Sequence, residues 1–138
     1  MTEAEKFVVS QAQPSLAPDE EVEHIGYLIG YLDSEGFGLF AQAARAQACF
    51  IALTAERAFF LWSKPGRIGA FRPLLEYHEL QILDRATITA RVERVRLVRK
   101  CLTLSLPSGE RARFELQRKV RALPGQAQCI EALLASAP

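Results

Sequence analysis

The sequence predicts one α+β domain, a run of β-strands closed by a single amphipathic helix at the C-terminus. Three observations carry this reading. Apolar residues alternate at period two through Ile25, Tyr27, Ile29 and Tyr31, and again through Leu102, Leu104 and Leu106. Pro107-Ser108-Gly109-Glu110 is the clearest turn signal and joins residues 102–106 to 111–116 as a hairpin. Ile130, Leu133 and Leu134 then fall at i, i+3 and i+4, behind Pro124 at a first-turn position, which predicts a helix over 124–136.

The elements follow in order. Residues 1–13 read as a short helix with Phe7, Val8 and Val9 as its apolar face, stopped by Pro14. That sets residues 1–15 apart as an N-terminal helix or flexible lead-in, with the domain proper over 16–138. Pro18 and the acidic residues after it make a turn into a strand over 22–32. Gly26 and Gly30 face one side of this strand, a pattern that predicts a bend or a close backbone approach. Asp33-Ser34-Glu35-Gly36 is a turn. In residues 37–47 the alanines favour helix, whereas the short length and the flanking strands favour a loop with room for one helical turn.

Residues 49–53 and 58–62 are apolar runs of strand length around Thr54-Ala55-Glu56-Arg57, a second β-hairpin. Pro65, Gly66, Gly69 and Pro73 make residues 63–73 a long loop. Residues 77–83 read as a strand with Leu80 and Ile82 alternating. Residues 87–106 are strand-rich, and two shifts of phase predict turns or bulges near Glu93-Arg94 and Arg99-Lys100.

Length and composition bound the function. At 138 residues and 49% hydrophobic content the chain can bury a core without covalent staples. With a formal net charge of +1, the molecule as a whole is neither an obvious polyanion binder nor a disordered acidic tail. Cys49, Cys101 and Cys129 are odd in number and lack ligand or disulfide spacing, so they read as free thiols of a reducing compartment. An acidic N-terminus without a long apolar run carries no secretory signal, and no stretch reaches membrane-spanning length; the expected location is cytoplasmic.

Leu53-Thr54-x-x-Arg57-x-x-Phe60 is similar to the hairpin motif of bacterial pleckstrin-homology-like (PH-like) domains. Leu16-Ala17-Pro18-Asp19-Glu20-Glu21-Val22 resembles their Leu-x-Pro-x-Glu-x-Val lead-in, and Tyr77-His78-Glu79-Leu80 stands where they carry Tyr-x-x-Ile. Together with the order of the later elements, the chain from residue 14 to 136 resembles that family. The resemblance implies a PH-like bent antiparallel sheet, a partly open barrel of about seven strands plugged by the C-terminal helix. It also implies a binding module for lipids, peptides or protein partners, or a homo-oligomer, rather than an enzyme.

The residues themselves supply no catalytic constellation. His24 and His78 have no partner at metal-ligand spacing. Asp19, Glu20, Glu21 and Glu23 beside His24 read as a solvated acidic turn. His78 lies between Glu76 and Glu79 with nothing to converge on. Cys101 follows Arg99-Lys100 but begins an apolar strand and reads as packing, and neither a nucleophile elbow nor a phosphate loop is present. No catalytic residue, cofactor or metal is expected.

Charge is the one functional signal. Residues 1–84 carry six Lys and Arg against twelve Asp and Glu, whereas residues 85–121 carry eleven against three. Within the basic stretch Arg91, Lys100, Arg111 and Arg113 lie on neighbouring strands and predict one basic sheet face. The first expectation is a protein-interaction or self-assembly scaffold, a homo-oligomer or a docking partner. The alternative is peripheral binding to anionic lipid headgroups through Lys64, Arg67 and Arg72, with Phe71 dipping and the basic face as a second signal. Nucleic acid ranks last, because Phe114 is the only aromatic among residues 85–121.

Overall fold

A computed structural model describes residues 1–32, 46–63, 79–95 and 99–135. A helix, Glu3–Ala12 (α1), is followed by a 3₁₀ turn, Gln13–Ser15. The strands are His24–Leu32 (β1), Ala46–Leu53 (β2), Arg57–Trp62 (β3), Glu79–Asp84 (β4), Thr89–Val95 (β5), Arg99–Ser105 (β6) and Arg111–Glu115 (β7). A 3₁₀ turn, Arg85–Thr87, links β4 to β5, and Gln126–Ala135 (α2) ends the fold. Residues 37–45 of the alanine-rich segment, the part of the long loop with Lys64, Arg67, Phe71 and Arg72, and the pair Tyr77-His78 lie outside the described residues.

The strands form one antiparallel sheet in the order β4-β3-β2-β1-β7-β6-β5. β1 belongs to both halves, pairing with β2 from His24 to Tyr31 and with β7 only from Gly30 to Leu32. The two edge strands β4 and β5 are consecutive in sequence, so the sheet bends round on itself. One buried cluster accordingly joins Leu28, Ile51, Phe60 and Trp62 of one half to Leu102, Leu104 and Phe114 of the other, with Cys129 and Leu133 of α2. Trp62 stacks between Phe60 and Phe114, with ring centroids 5.9 Å apart on each side. This is the PH-like α+β architecture that the sequence resemblance implied.

α1 begins with a capping box: Glu5 N–H donates to Thr2 Oγ1 at 3.2 Å and Thr2 N–H donates to Glu5 Oε1 at 2.8 Å. Its buried stripe is Ala4, Val8 and Ala12, with Phe7 and Val9 only partly buried. That stripe lies on Tyr27, Phe50 and Phe59, the sheet face opposite the barrel core. Thr2 Oγ1 also donates to Ala122 O at 2.6 Å, tying the helix to the segment before α2.

Two expectations are corrected. β5 runs unbroken through Glu93-Arg94 and pairs with β6 as far as Val95↔Arg99. The change of phase therefore falls between the two paired strands, after Val95 and before Arg99, and not within β5. β2 begins at Ala46, inside the segment whose alanines blurred helix and loop. The cysteines are free thiols, and burial holds the Cys49 thiol well above its ordinary pKa and pushes that of Cys129 up to about 12.

Candidate functional site

The lead-in and the β2–β3 turn meet at the N-terminal end of β1. Glu20 is the centre of that junction. Its carboxylate accepts from Thr54 Oγ1 at 2.7 Å, from Arg57 Nε at 2.9 Å and from Ala17 N–H at 3.0 Å, and it pairs with the second Arg57 guanidinium nitrogen. The Arg57 guanidinium also donates to Ser15 O at 2.7 Å and lies 5.0 Å from the centre of the Phe59 ring. These contacts, led by the hydrogen bond from Arg57, lower the Glu20 pKa to about 2. The two motifs that carry the family resemblance thus hold each other, and their role here is structural.

Around this junction opens a cleft of about 600 Å³ lined by Asp19, Glu20, Glu21, Glu23, Glu56 and Arg57 among its residues. Five carboxylates face one guanidinium, so the cleft is acidic. Its floor is built by the same turn that the sequence marked as solvated. Arg85 closes the neighbouring wall, donating to Thr54 O at 2.7 Å and to Ala132 O of α2 at 3.2 Å, with Glu23 at 4.0 Å. This first residue of the basic stretch is engaged in holding α2 against the hairpin.

The outer face of β5–β7 carries the other charge. Register places Arg91, Thr103 and Arg113 in one row, with Arg113 opposite Tyr31 at the far end of β1. The next row is Thr89, Ser105 and Arg111; the one before is Glu93, Cys101 and Glu115. Glu93 pairs with Arg91 and stands 3.8 Å from Arg113. Three polar atoms of this cluster are buried without a hydrogen-bond partner: Glu93 Oε1, Thr103 Oγ1 and Arg113 Nε. Glu93 Oε1 is ion-paired with Arg91, whereas the Thr103 hydroxyl and Arg113 Nε–H are donors without an acceptor, and each such buried group costs about 1–3 kcal/mol.

Three of the four residues expected on one basic face, Arg91, Arg111 and Arg113, are brought together by this register. Lys100 is not. It pairs with Arg94 one step out of parity, so it belongs to the opposite side of the sheet. Lys64, Arg67 and Arg72 lie outside the described residues. Glu93 and Thr103 were not singled out by sequence, although Glu93 stands two residues from Arg91 on one strand face. Among the described residues no group of His, Cys, Asp and Glu is arranged to hold a metal ion, and no helix is long and apolar enough to cross a membrane.

No protein-family model matches the chain, and no curated protein is similar to it. Among solved structures, the chain is similar to the hSac2 domain of the human phosphoinositide phosphatase Sac2. The match has a TM-score of 0.51 at 14% identity and covers 96% of this chain and 79% of that one. A likeness at that identity is one of fold: a seven-stranded antiparallel sheet of PH-like type with a C-terminal helix.

Proposed function

We propose that the protein is a non-catalytic binding module that acts by protein–protein interaction or self-assembly through oppositely charged surfaces. The observation that carries this reading is the separation of charge along β1. The acidic cleft sits at its N-terminal end beside Glu23, and the arginine row meets Tyr31 at the other. Eight residues of strand separate the two by up to about 26 Å. At physiological salt that is some three Debye lengths, so the surfaces do not neutralise each other within one molecule. Unlike patches on one chain favour a head-to-tail contact, which closes into a ring or extends as a filament.

Light scattering at low and high salt tests the reading. Association at low salt that dissolves at high salt supports it. A strict monomer at high concentration and low salt, with no partner recovered, overturns it. The lipid reading rests on Lys64, Arg67 and Arg72, and changing Arg67 and Arg72 to Glu would abolish pelleting with anionic vesicles if it held.

A further inference from the structure

The acidic cleft, the exposed β4 edge with Leu80 and Ile82, and the arginine row are surface features of the fold; among the described residues, the row is the one with buried donors that lack a partner. We infer that Arg91, Thr103 and Arg113 form a carboxylate-binding site on the outer face of β5–β7, occupied in the assembly by the acidic lead-in of a second copy of the chain. The inference rests on the self-assembly reading above and names the groups that would make the contact.

The donor inventory is the first argument. Among the described residues, the two guanidinium groups pair with one carboxylate, that of Glu93. Arg113 Nε–H and the Thr103 hydroxyl are buried donors left over. Native proteins rarely bury polar groups without a use for them, and these lie in one cluster. Their shared deficit is an acceptor, which a second carboxylate supplies.

The second argument is that the site already holds a carboxylate. Glu93 occupies the space between the two arginines, which shows that the site has the size and charge for such a group. Its fit is partial: it pairs with Arg91 and stands 3.8 Å from Arg113, leaving Arg113 Nε–H without an acceptor. A second carboxylate would compete with Glu93 for these guanidinium groups. Charge complementarity supplies the occupant. Asp19 and Glu21 line a cleft whose Arg57 is paired with Glu20, and Glu23 beside them stands 4.0 Å from Arg85. An outward-facing run of carboxylates on a second copy is the chemistry the arginine row accepts.

The test uses the intact chain and a labelled synthetic peptide spanning residues 16–24 as the probe. The wild type binds the peptide at low salt, and Arg113→Gln weakens binding by about tenfold or more. Glu93→Gln removes the internal competitor and tightens both peptide binding and self-association, a gain that loss of fold cannot imitate. Self-association unchanged by Arg91→Gln with Arg113→Gln overturns this site while the self-assembly reading survives. Glu93→Gln binding the peptide no better than the wild type also overturns it. Absence of self-association and of any partner overturns the parent reading instead.

Discussion

The Gln126 side-chain amide serves both backbone groups of Tyr27: its Oε1 accepts from Tyr27 N–H and its Nε2 donates to Tyr27 O, each at 2.7 Å. Gln126 is the first residue of α2 and is 1% exposed. The reason for the contact lies in the topology. β7 reaches β1 only at Gly30–Leu32, so among the described residues the first half of β1 has no strand beside it on that side. A helix side chain takes the place of the missing ladder. Gln126→Ala removes partners of two buried groups and should cost about 2–5 kcal/mol. Urea denaturation measures this, and a midpoint within error of the wild type would show that water replaces the amide freely.

Glu20 gives the fold an acid-sensitive joint. Its pKa falls from an ordinary 4.5 to about 2, chiefly through the hydrogen bond from Arg57. A carboxyl whose pKa is depressed by folding stabilises the fold above its unfolded value, and that contribution is lost as pH falls through the folded one. The thermal midpoint of the wild type should therefore drop between about pH 4.5 and 2 more steeply than that of Glu20→Gln. Above that interval the difference between the two proteins should stay constant. Parallel acid limbs would mean that another carboxyl controls acid unfolding.

Much of the fold was legible because strand alternation is local. Ile25 to Tyr31 and Leu102 to Leu106 announce their faces without any knowledge of their neighbours. Gln126 was not legible, since a glutamine at a helix start reads as solvent-facing until β1 is seen to lack a partner there. The lead-in and hairpin motifs looked like independent marks, and only the Glu20–Arg57 pair shows them to be the two halves of one joint.

The arginine row was half legible for the same kind of reason. Parity alone groups Arg111 with Arg113, and Arg91 with Glu93. Bringing these pairs together needs the register across β5, β6 and β7, which depends on where the hairpin after Val95 turns. Lys100 needs no register to place: it shares the parity of Leu102 and Leu104 on its own strand, opposite to that of Thr103. The partial neutralisation of the row by Glu93 is likewise a cross-strand fact, since Arg113 lies twenty residues further along the chain.

Leu133 tests α2 as a core element. It is 3% exposed and belongs to the same cluster as Phe60, Trp62 and Phe114, alongside buried Cys129. Leu133→Ala should cost about 2–5 kcal/mol through lost transfer energy and the cavity left behind. Leu134, one residue on, is only partly buried against the cluster, so Leu134→Ala should cost less. Equal thermal shifts for the two variants would place the buried face of α2 elsewhere.

Gly30 is where the two halves of the sheet cross, and it should be the least replaceable glycine among those described. A Cβ at this position would lie 1.9 Å from Arg113 O and 2.6 Å from Phe114 Cα. Both are backbone atoms of the paired strand, so no side-chain rotation relieves the clash. Gly30 also pairs with Gln47 on its other side, which fixes β1 between two strands. Gly30→Ala should therefore cost about 3 kcal/mol or more, at the upper end of overpacking. It should also loosen the β1–β7 pairing on which the Arg113 end of the arginine row depends. Gly109, in the β6–β7 turn, is the control. Its φ of +92° favours glycine, yet nothing lies within 4 Å of a Cβ there. Gly109→Ala should cost only about 1–2 kcal/mol of backbone strain. Hydrogen exchange read at Phe114 and Tyr31 separates the cases: faster exchange in Gly30→Ala with little change in Gly109→Ala is expected, and equal protection in both would count against the crossing at Gly30.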